Sequence, residues 1–202
     1  MLAGAAAPAA TLSVQARLAD HKPFAGAVIT LQAPGAHATV PPVRAIVDQI
    51  NLAFVPEIIA IPVGSTVEFP NSDSVSHQIY SFSMAKRFQL PLYHGKPYPP
   101  VQFDQAGVVT LGCNIHDKMV GYIYVTDAAY FGRTDASGAW TAANVPGGSY
   151  HLSLWHPLLR DSAASLEREI NVGANESTMI DLQLLQALRA APLQSARGRG
   201  EY

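Results

Sequence analysis

The sequence predicts an all-β chain, and three observations support this prediction. Fifteen glycines and fifteen prolines are scattered through the 202 residues, and these residues divide a chain into short segments. Apolar and polar residues alternate with a period of two in several of those segments, which is typical of half-buried strands. Hydrophobic residues make up 49% of the chain, which is ample for the core of one large domain or two small ones.

The alternating segments predict the strands in chain order. Residues 12–18 and 27–31 alternate on either side of a turn, so we expect two half-buried strands there. Further strands are expected at residues 43–61, 66–69, 78–82, 101–103, 108–111, 121–125, 167–172 and 177–184. Residues 101–103 and 108–111 are expected to pair, as are the last two strands. Residues 84–100 carry four prolines and are expected to be irregular.

The residues that carry chemistry lie mainly on one short loop between two predicted strands. This loop holds Cys113, the only cysteine in the chain, followed by His116 and Met119. A thiolate, an imidazole and a thioether are soft donors that suit copper, and a blue-copper site requires one further histidine. The polar segment 70–77 ends in His77, which supplies that histidine. We therefore predict that His77, Cys113, His116 and Met119 bind one copper ion.

These residues also have other interpretations. A lone cysteine or methionine is more often a packing residue than a ligand, but the spacing of the set favours ligation. His94 and Met84, in the segment expected to be irregular, are weaker candidates. Asn71 and Asn114 are expected to be hydrogen-bond donors around the ligands, Asn71 to the loop backbone and Asn114 to the sulfur.

Composition excludes several classes of function. A single cysteine excludes a disulfide framework and a two-cysteine dinuclear copper centre. The formal net charge of −2 gives no reason to expect a nucleic-acid partner. The chain has no Ser/His/Asp arrangement, nucleotide-binding loop or paired-carboxylate motif. A four-ligand copper site has no open position for a substrate, so we do not expect an enzyme.

Residues 40–127 resemble a cupredoxin. The matching parts are the segment 66–71 leading to His77 and the loop with Cys113, His116 and Met119, whose short spacing is that of amicyanins. The whole chain resembles the bacterial methylamine utilization proteins, which are periplasmic and cupredoxin-like, at residues 69–73, 80–83, 86–88 and 112–117. This resemblance implies a Greek-key β-sandwich with one type 1 copper. Gly112 departs from the aromatic-rich approach of small cupredoxins and is expected to leave the sulfur less shielded.

A second resemblance concerns the two ends of the chain. Residues 14–31, 134–140 and 145–150 are similar to a carboxypeptidase-regulatory-like (prealbumin-type) β-sandwich. Two arrangements remain open: an insertion, in which residues 11–35 plus 129–184 form this sandwich around the cupredoxin, or an enlarged cupredoxin of residues 11–127 with an appended sheet at 128–184. We favour the insertion, because the C-terminal piece alone has few strands for a core.

The two ends of the chain indicate where the protein is located. Residues 1–10 resemble the end of a secretory signal, residues 185–202 are expected to be a flexible tail, and no apolar run approaches the roughly 20 residues that span a bilayer. We therefore expect a periplasmic protein.

Three functions remain open: one-electron transfer with a dehydrogenase or cytochrome as redox partner, copper trafficking or storage, and a binding module in which copper is incidental.

Overall fold

The structure, a computed structural model, describes residues 9–36, 40–95, 97–159, 166–174, 177–184 and 187–189. These residues form strands, turns and loops without a helix, so the predicted all-β class is confirmed. None of the described residues belongs to a helix that is long and apolar enough to cross a membrane. The expected leader at 1–10 and tail at 185–202 lie almost entirely outside the described residues.

The strands are numbered here in chain order. They are β1 (Ala9–Arg17), β2 (Val28–Gln32), β3 (Arg44–Ile46), β4 (Asp48–Ile50), β5 (Ala53–Val55), β6 (Ile58–Pro62), β7 (Ser65–Glu68), β8 (His77–Ser83), β9 (Lys86–Tyr93), β10 (Val101–Phe103), β11 (Gly107–Gly112), β12 (Val120–Thr126), β13 (Tyr130–Arg133), β14 (Ala139–Pro146), β15 (Gly148–Trp155), β16 (Leu166–Val172) and β17 (Thr178–Gln183).

The chain divides into two compact units. The first unit lies within Met1–Thr39 and Asp127–Arg189, and the second unit lies within Val40–Thr126. The first unit is therefore built from two stretches of chain that are separated in sequence by the second.

The first unit is a β-sandwich. Its sheets have the strand orders β14-β1-β17 and β13-β2-β15-β16, and residues of both sheets, such as Leu12, Ile29 and Leu152, share one buried core. The strands β1 and β2 therefore lie in opposite sheets. The predicted pairing of the last two strands is wrong, because β16 pairs with β15 whereas β17 runs parallel to β1.

The second unit has a five-stranded sheet of order β6-β12-β11-β8-β9, a three-stranded sheet of order β10-β7-β3, and the hairpin β4–β5. Buried residues of both larger sheets, such as Phe103, Val67 and Ile123, again form one core. The predicted pairing of residues 101–103 with 108–111 is wrong. The strand β10 pairs with β7, and β11 pairs with β12 and β8, so the intervening turn carries the chain from one sheet to the other.

The segment 84–100 is more regular than its prolines predicted. Residues Lys86–Tyr93 form β9, which pairs with β8 and lies at the edge of the five-stranded sheet. Proline lacks a backbone N–H, and an edge strand tolerates this because one side of the strand has no neighbour. Pro91 therefore fits within β9, and the prediction of an irregular segment is wrong for these eight residues.

The four predicted ligands lie at strand ends of the five-stranded sheet or, for His116, in the loop between two of its strands. The strand β8 begins at His77, β11 ends immediately before Cys113, and β12 begins immediately after Met119. Because β8 and β11 are antiparallel neighbours, the start of one strand lies beside the end of the other. The sheet thus brings together two loops that are far apart in sequence.

Candidate metal centre

Three of the predicted ligands converge on a common point. The ligand atoms of His77, Cys113 and His116 all lie within 4.8 Å of one another. The Sγ atom of Cys113 is 3.7 Å from Nδ1 of His77 and 3.8 Å from Nδ1 of His116. Both rings therefore direct the same nitrogen towards the sulfur. One thiolate and two imidazoles in this arrangement fit copper, by the chemistry of the donors and by their convergence.

The three donors differ in burial. The side chain of His77 is fully buried, Cys113 is 2% exposed, and His116 is half-buried beside the exposed residues Asn114 and Ile115. The centre is therefore shielded from solvent on the side of His77 and Cys113. His116 is the donor that reaches the surface.

The carboxylate of Asp73 lies against the outer nitrogen of the His77 ring. Its Oδ2 atom lies 3.0 Å from Nε2 of His77, and only 8% of its side chain is exposed. A carboxylate can only accept a hydrogen bond, so this contact favours the tautomer of His77 with the proton on Nε2. The other ring nitrogen, Nδ1, faces Cys113, which is the orientation that a metal ligand requires.

The ionisation of the neighbouring groups follows from their contacts. Burial acts to raise the pKa of Asp73, but hydrogen bonds from Leu52 N–H, the His77 ring and Ser74 N–H outweigh it and lower the pKa below its usual value. The pKa of His116 is lowered by burial and by the proximity of His77, with Asp73 acting in the opposite direction. A lowered pKa favours the neutral imidazole, which is the form that binds a metal.

The region around Gly112 differs from the prediction. A Cβ atom at Gly112 would lie 2.7 Å from a ring carbon of Tyr80, so the Tyr80 ring fills the space beside this residue. With Cys113 only 2% exposed, the expectation of a poorly shielded sulfur is wrong. An aromatic residue from the neighbouring strand takes the space that a side chain at Gly112 would need.

The two asparagines also differ in their contacts. The buried Asn71 donates from Nδ2 to the carbonyl oxygens of Val75 and Tyr93, at 3.0 and 2.9 Å, and its Oδ1 accepts the N–H of Asp73 at 3.0 Å. It therefore holds the backbone of the loop before His77, as expected. Asn114 is exposed, and within the described residues the sulfur of Cys113 lies at hydrogen-bonding distance from the two histidines and not from Asn114.

Met119 lies in the same core as Cys113. Its side chain is 2% exposed, and its N–H donates to the carbonyl oxygen of His116 at 2.8 Å, which closes the loop between the two residues. Its role as the axial ligand stays a prediction. The weaker candidates His94 and Met84 are both exposed, and Met84 is 88% exposed.

The contact of Asp73 with His77 is not among the predictions from the sequence. Asp73 lies in the polar segment 70–77, four positions before His77. A carboxylate close to a candidate histidine ligand was the available signal. The hydrogen bond from Leu52 N–H, which comes from 21 residues earlier in the chain, had no signal in the sequence.

The comparisons with known proteins give structural likenesses alone. No protein-family model and no curated protein matches this chain. Among solved structures, it is similar to a novel purple cupredoxin from Nitrosopumilus maritimus, with 29% identity over 41% of this chain and 99% of that one, at a TM-score of 0.37. It is also similar to a reduced amicyanin mutant, with 23% identity over 50% of this chain and 98% of that one, at a TM-score of 0.37.

A copper-containing nitrite reductase from Thermus scotoductus SA-01 is similar as well, with 33% identity over 46% of this chain and a TM-score of 0.38. The matched region spans only 24% of that enzyme. Because all of these TM-scores are below 0.5, the assignment of the metal centre rests on the side-chain geometry.

Proposed function

We propose that this protein binds one copper ion through His77, Cys113 and His116, with Met119 as a weak axial ligand, and transfers single electrons. The observation that carries this proposal is the convergence of two Nδ1 atoms on one buried sulfur, at 3.7 and 3.8 Å. Hard cations such as magnesium prefer oxygen donors, whereas this set of sulfur and nitrogen donors favours copper.

The residues around the centre suit electron transfer better than catalysis. Bound copper would supply a one-electron couple between Cu(I) and Cu(II). His77 and Cys113 are buried at the ends of β8 and β11, which limits their movement when the charge of the centre changes. A closed set of four ligands leaves no open position for a substrate. The half-buried ring of His116 is the group through which we propose that electrons enter and leave.

The setting and the partner are part of the same proposal. The resemblance of residues 69–73 and 112–117 to methylamine utilization proteins supports a periplasmic location and a dehydrogenase or cytochrome as redox partner. The resemblance of the first unit to a prealbumin-type sandwich supports a role for it as a binding or supporting module.

The test is to load the purified protein with Cu(II) and record its absorption and EPR spectra. We expect an intense thiolate-to-copper band, a narrow hyperfine splitting and a reversible one-electron wave. Because Cys113 is the only cysteine, Cys113→Ser should abolish the band completely. A band that persists in this variant would refute the site. A colourless protein with tightly bound, exchangeable Cu(I) would instead indicate copper trafficking.

The axial ligand is tested by a matched pair of substitutions. Met119→Leu keeps the buried volume approximately constant and removes the thioether, so we expect the charge-transfer band to persist with a changed reduction potential. Met84→Leu makes the same chemical change at a residue that is 88% exposed and should leave the potential unchanged. Equal potentials for the two variants would exclude Met119 as a ligand.

A further inference from the structure

The carboxylate of Asp73 connects a metal-ligating ring to a hairpin turn. Its Oδ2 atom accepts hydrogen bonds from Nε2 of His77, at 3.0 Å, and from the N–H of Leu52, at 2.7 Å. The side chain of His77 is fully buried and that of Asp73 is 8% exposed. A charge-assisted hydrogen bond in such a shielded place is stronger and more directional than one in water.

The rest of Asp73 is held as firmly. Its Oδ1 atom accepts the N–H of Ser74 at 2.7 Å, and its own N–H donates to Oδ1 of Asn71 at 3.0 Å. Both carboxylate oxygens and the backbone are thus restrained. The carboxylate cannot turn away from His77 without breaking several hydrogen bonds at once.

The turn of the β4–β5 hairpin supplies one of these hydrogen bonds, that from the N–H of Leu52. Asn51 and Leu52 have φ angles of 52° and 62°, in the left-handed region, which is unfavourable for a residue with a Cβ atom. The same hairpin holds the loop through Asp48, which accepts the N–H of Ser72 at 3.1 Å and its hydroxyl at 2.8 Å. The hairpin therefore contacts this loop at Ser72 and at Asp73, and these contacts keep the loop in register.

We propose that Asp73 is a positioning residue that fixes the tautomer and orientation of His77 and lowers the reduction potential of the centre, with the β4–β5 turn holding Asp73 in place. This inference rests on the proposed copper function. A carboxylate on the outer nitrogen raises the basicity of an imidazole ligand. Its negative charge also favours the more highly charged Cu(II) over Cu(I).

The decisive variant is Asp73→Asn. The amide keeps an oxygen that can accept backbone N–H groups, but it removes the charge. We expect Cu(II) affinity to fall about 10- to 100-fold and Cu(I) affinity to fall less. Each tenfold difference between the two losses raises the reduction potential by about 59 mV for one electron. A shift in the EPR hyperfine splitting should accompany it.

Asp48→Asn is the matched control, because it removes the same charge from the hairpin side of the same loop without touching His77. It should reduce stability while changing the potential much less than Asp73→Asn does. If the two variants shift the reduction potential by similar amounts, any negative charge near the loop has the same effect as Asp73, and the inference is overturned. An unchanged potential in Asp73→Asn would overturn it as well.

A measurement on copper-free protein separates this inference from the copper function. Nitrogen NMR of His77 should show the tautomer with the proton on Nε2 in the unsubstituted protein and a loss of that preference in Asp73→Asn. If the copper-free protein has the other tautomer, Asp73 does not position His77, whatever metal is bound. If the tautomer is as expected and no thiolate-to-copper band forms, the copper function fails while the orienting effect of Asp73 on His77 stands.

Discussion

Gly112 and Tyr80 illustrate how one missing side chain permits a close contact beside the metal centre. The two residues face each other across β11 and β8, and a Cβ atom at Gly112 would lie 2.7–3.1 Å from three atoms of the Tyr80 side chain. We expect Gly112→Ala to lower the free energy of unfolding by about 1–3 kcal/mol, because an added methyl group in a packed site forces its neighbours to move. Denaturant unfolding of the copper-free protein measures this.

The Tyr80→Ala background provides the control. Without the ring, the added methyl group has space, so Gly112→Ala should cost much less there than in the unsubstituted protein. A double-mutant cycle reports the difference. If the cost is the same in both backgrounds, the contact with Tyr80 is not the reason that residue 112 is glycine.

His156 is a second residue with a measurable consequence. Its Nδ1 atom accepts the N–H of Leu158 at 3.2 Å and its ring packs edge-on against Phe24. Burial, and to a lesser extent the charge of Arg133, lower its pKa from 6.5 to about 4. Between these two pKa values the unfolded chain binds a proton at this residue and the folded protein does not. The contribution of neutral His156 to the free energy of unfolding is therefore fully present above about pH 6.5 and is lost as the pH falls from 6.5 to 4.

The expected loss over that interval is on the order of 2 kcal/mol, after allowance for partial exposure. Urea unfolding at pH 7 and pH 4.5 measures it, and His156→Gln should remove much of the difference between the two. His151→Gln, at an exposed histidine, is the control and should retain the full difference. Similar pH dependence in all three proteins would contradict the assignment.

Among the strand connections, the β4–β5 turn carries backbone strain. Leu52 has a φ angle of 62° and a side chain that is 44% exposed, so replacing it with glycine relieves the left-handed backbone and loses little packing. Glycine is more flexible in the unfolded chain, and this cost offsets part of the relieved strain. We expect a net gain in the free energy of unfolding of about 0.5–1 kcal/mol. Thermal and urea unfolding measure the gain.

Leu92→Gly is a suitable comparison. Leu92 is 57% exposed on the edge strand β9, outside the positive-φ residues, so glycine there should destabilise the protein by roughly 0.5–1 kcal/mol. The copper spectrum of Leu52→Gly should be unchanged, since glycine keeps the N–H that Asp73 accepts. A loss of stability equal to that of Leu92→Gly would show that the turn is unstrained.

For the molecule as a whole, the two units predict different behaviour of fragments. The second unit, within Val40–Thr126, contains its own core and all four candidate ligands. We expect a fragment of residues 40–126 to fold and to bind copper with the spectrum of the full chain. Circular dichroism and the thiolate-to-copper band test this.

A fragment of residues 127–202 should remain unfolded. The strands β1 and β2 lie in the interior of the two sheets of the first unit, so this fragment lacks the strand between β14 and β17 and the strand between β13 and β15. Isolated strand pairs are marginally stable at best. Cooperative unfolding of this fragment would contradict the described topology.

Much of this molecule could be predicted from local patterns. Alternation of apolar and polar residues identifies most strands, because side chains on a strand point alternately to its two faces. The donor types and spacing of Cys113, His116 and Met119 identify the candidate site, because copper chemistry depends on the atoms that a residue carries. His77 was also identified from its place at the end of a polar loop, and the structure brings it to the sulfur of Cys113.

The pairing of strands and the surroundings of the centre depended on long-range packing. Whether residues 101–103 pair with 108–111 is decided by which sheet each strand joins, and a proline such as Pro91 is compatible with a strand once that strand is at an edge. The Tyr80 ring over Gly112 joins residues 32 positions apart, and the hydrogen bond from Leu52 to Asp73 joins residues 21 positions apart. Local sequence patterns carry no record of such contacts, because these arise only when the sheets have assembled.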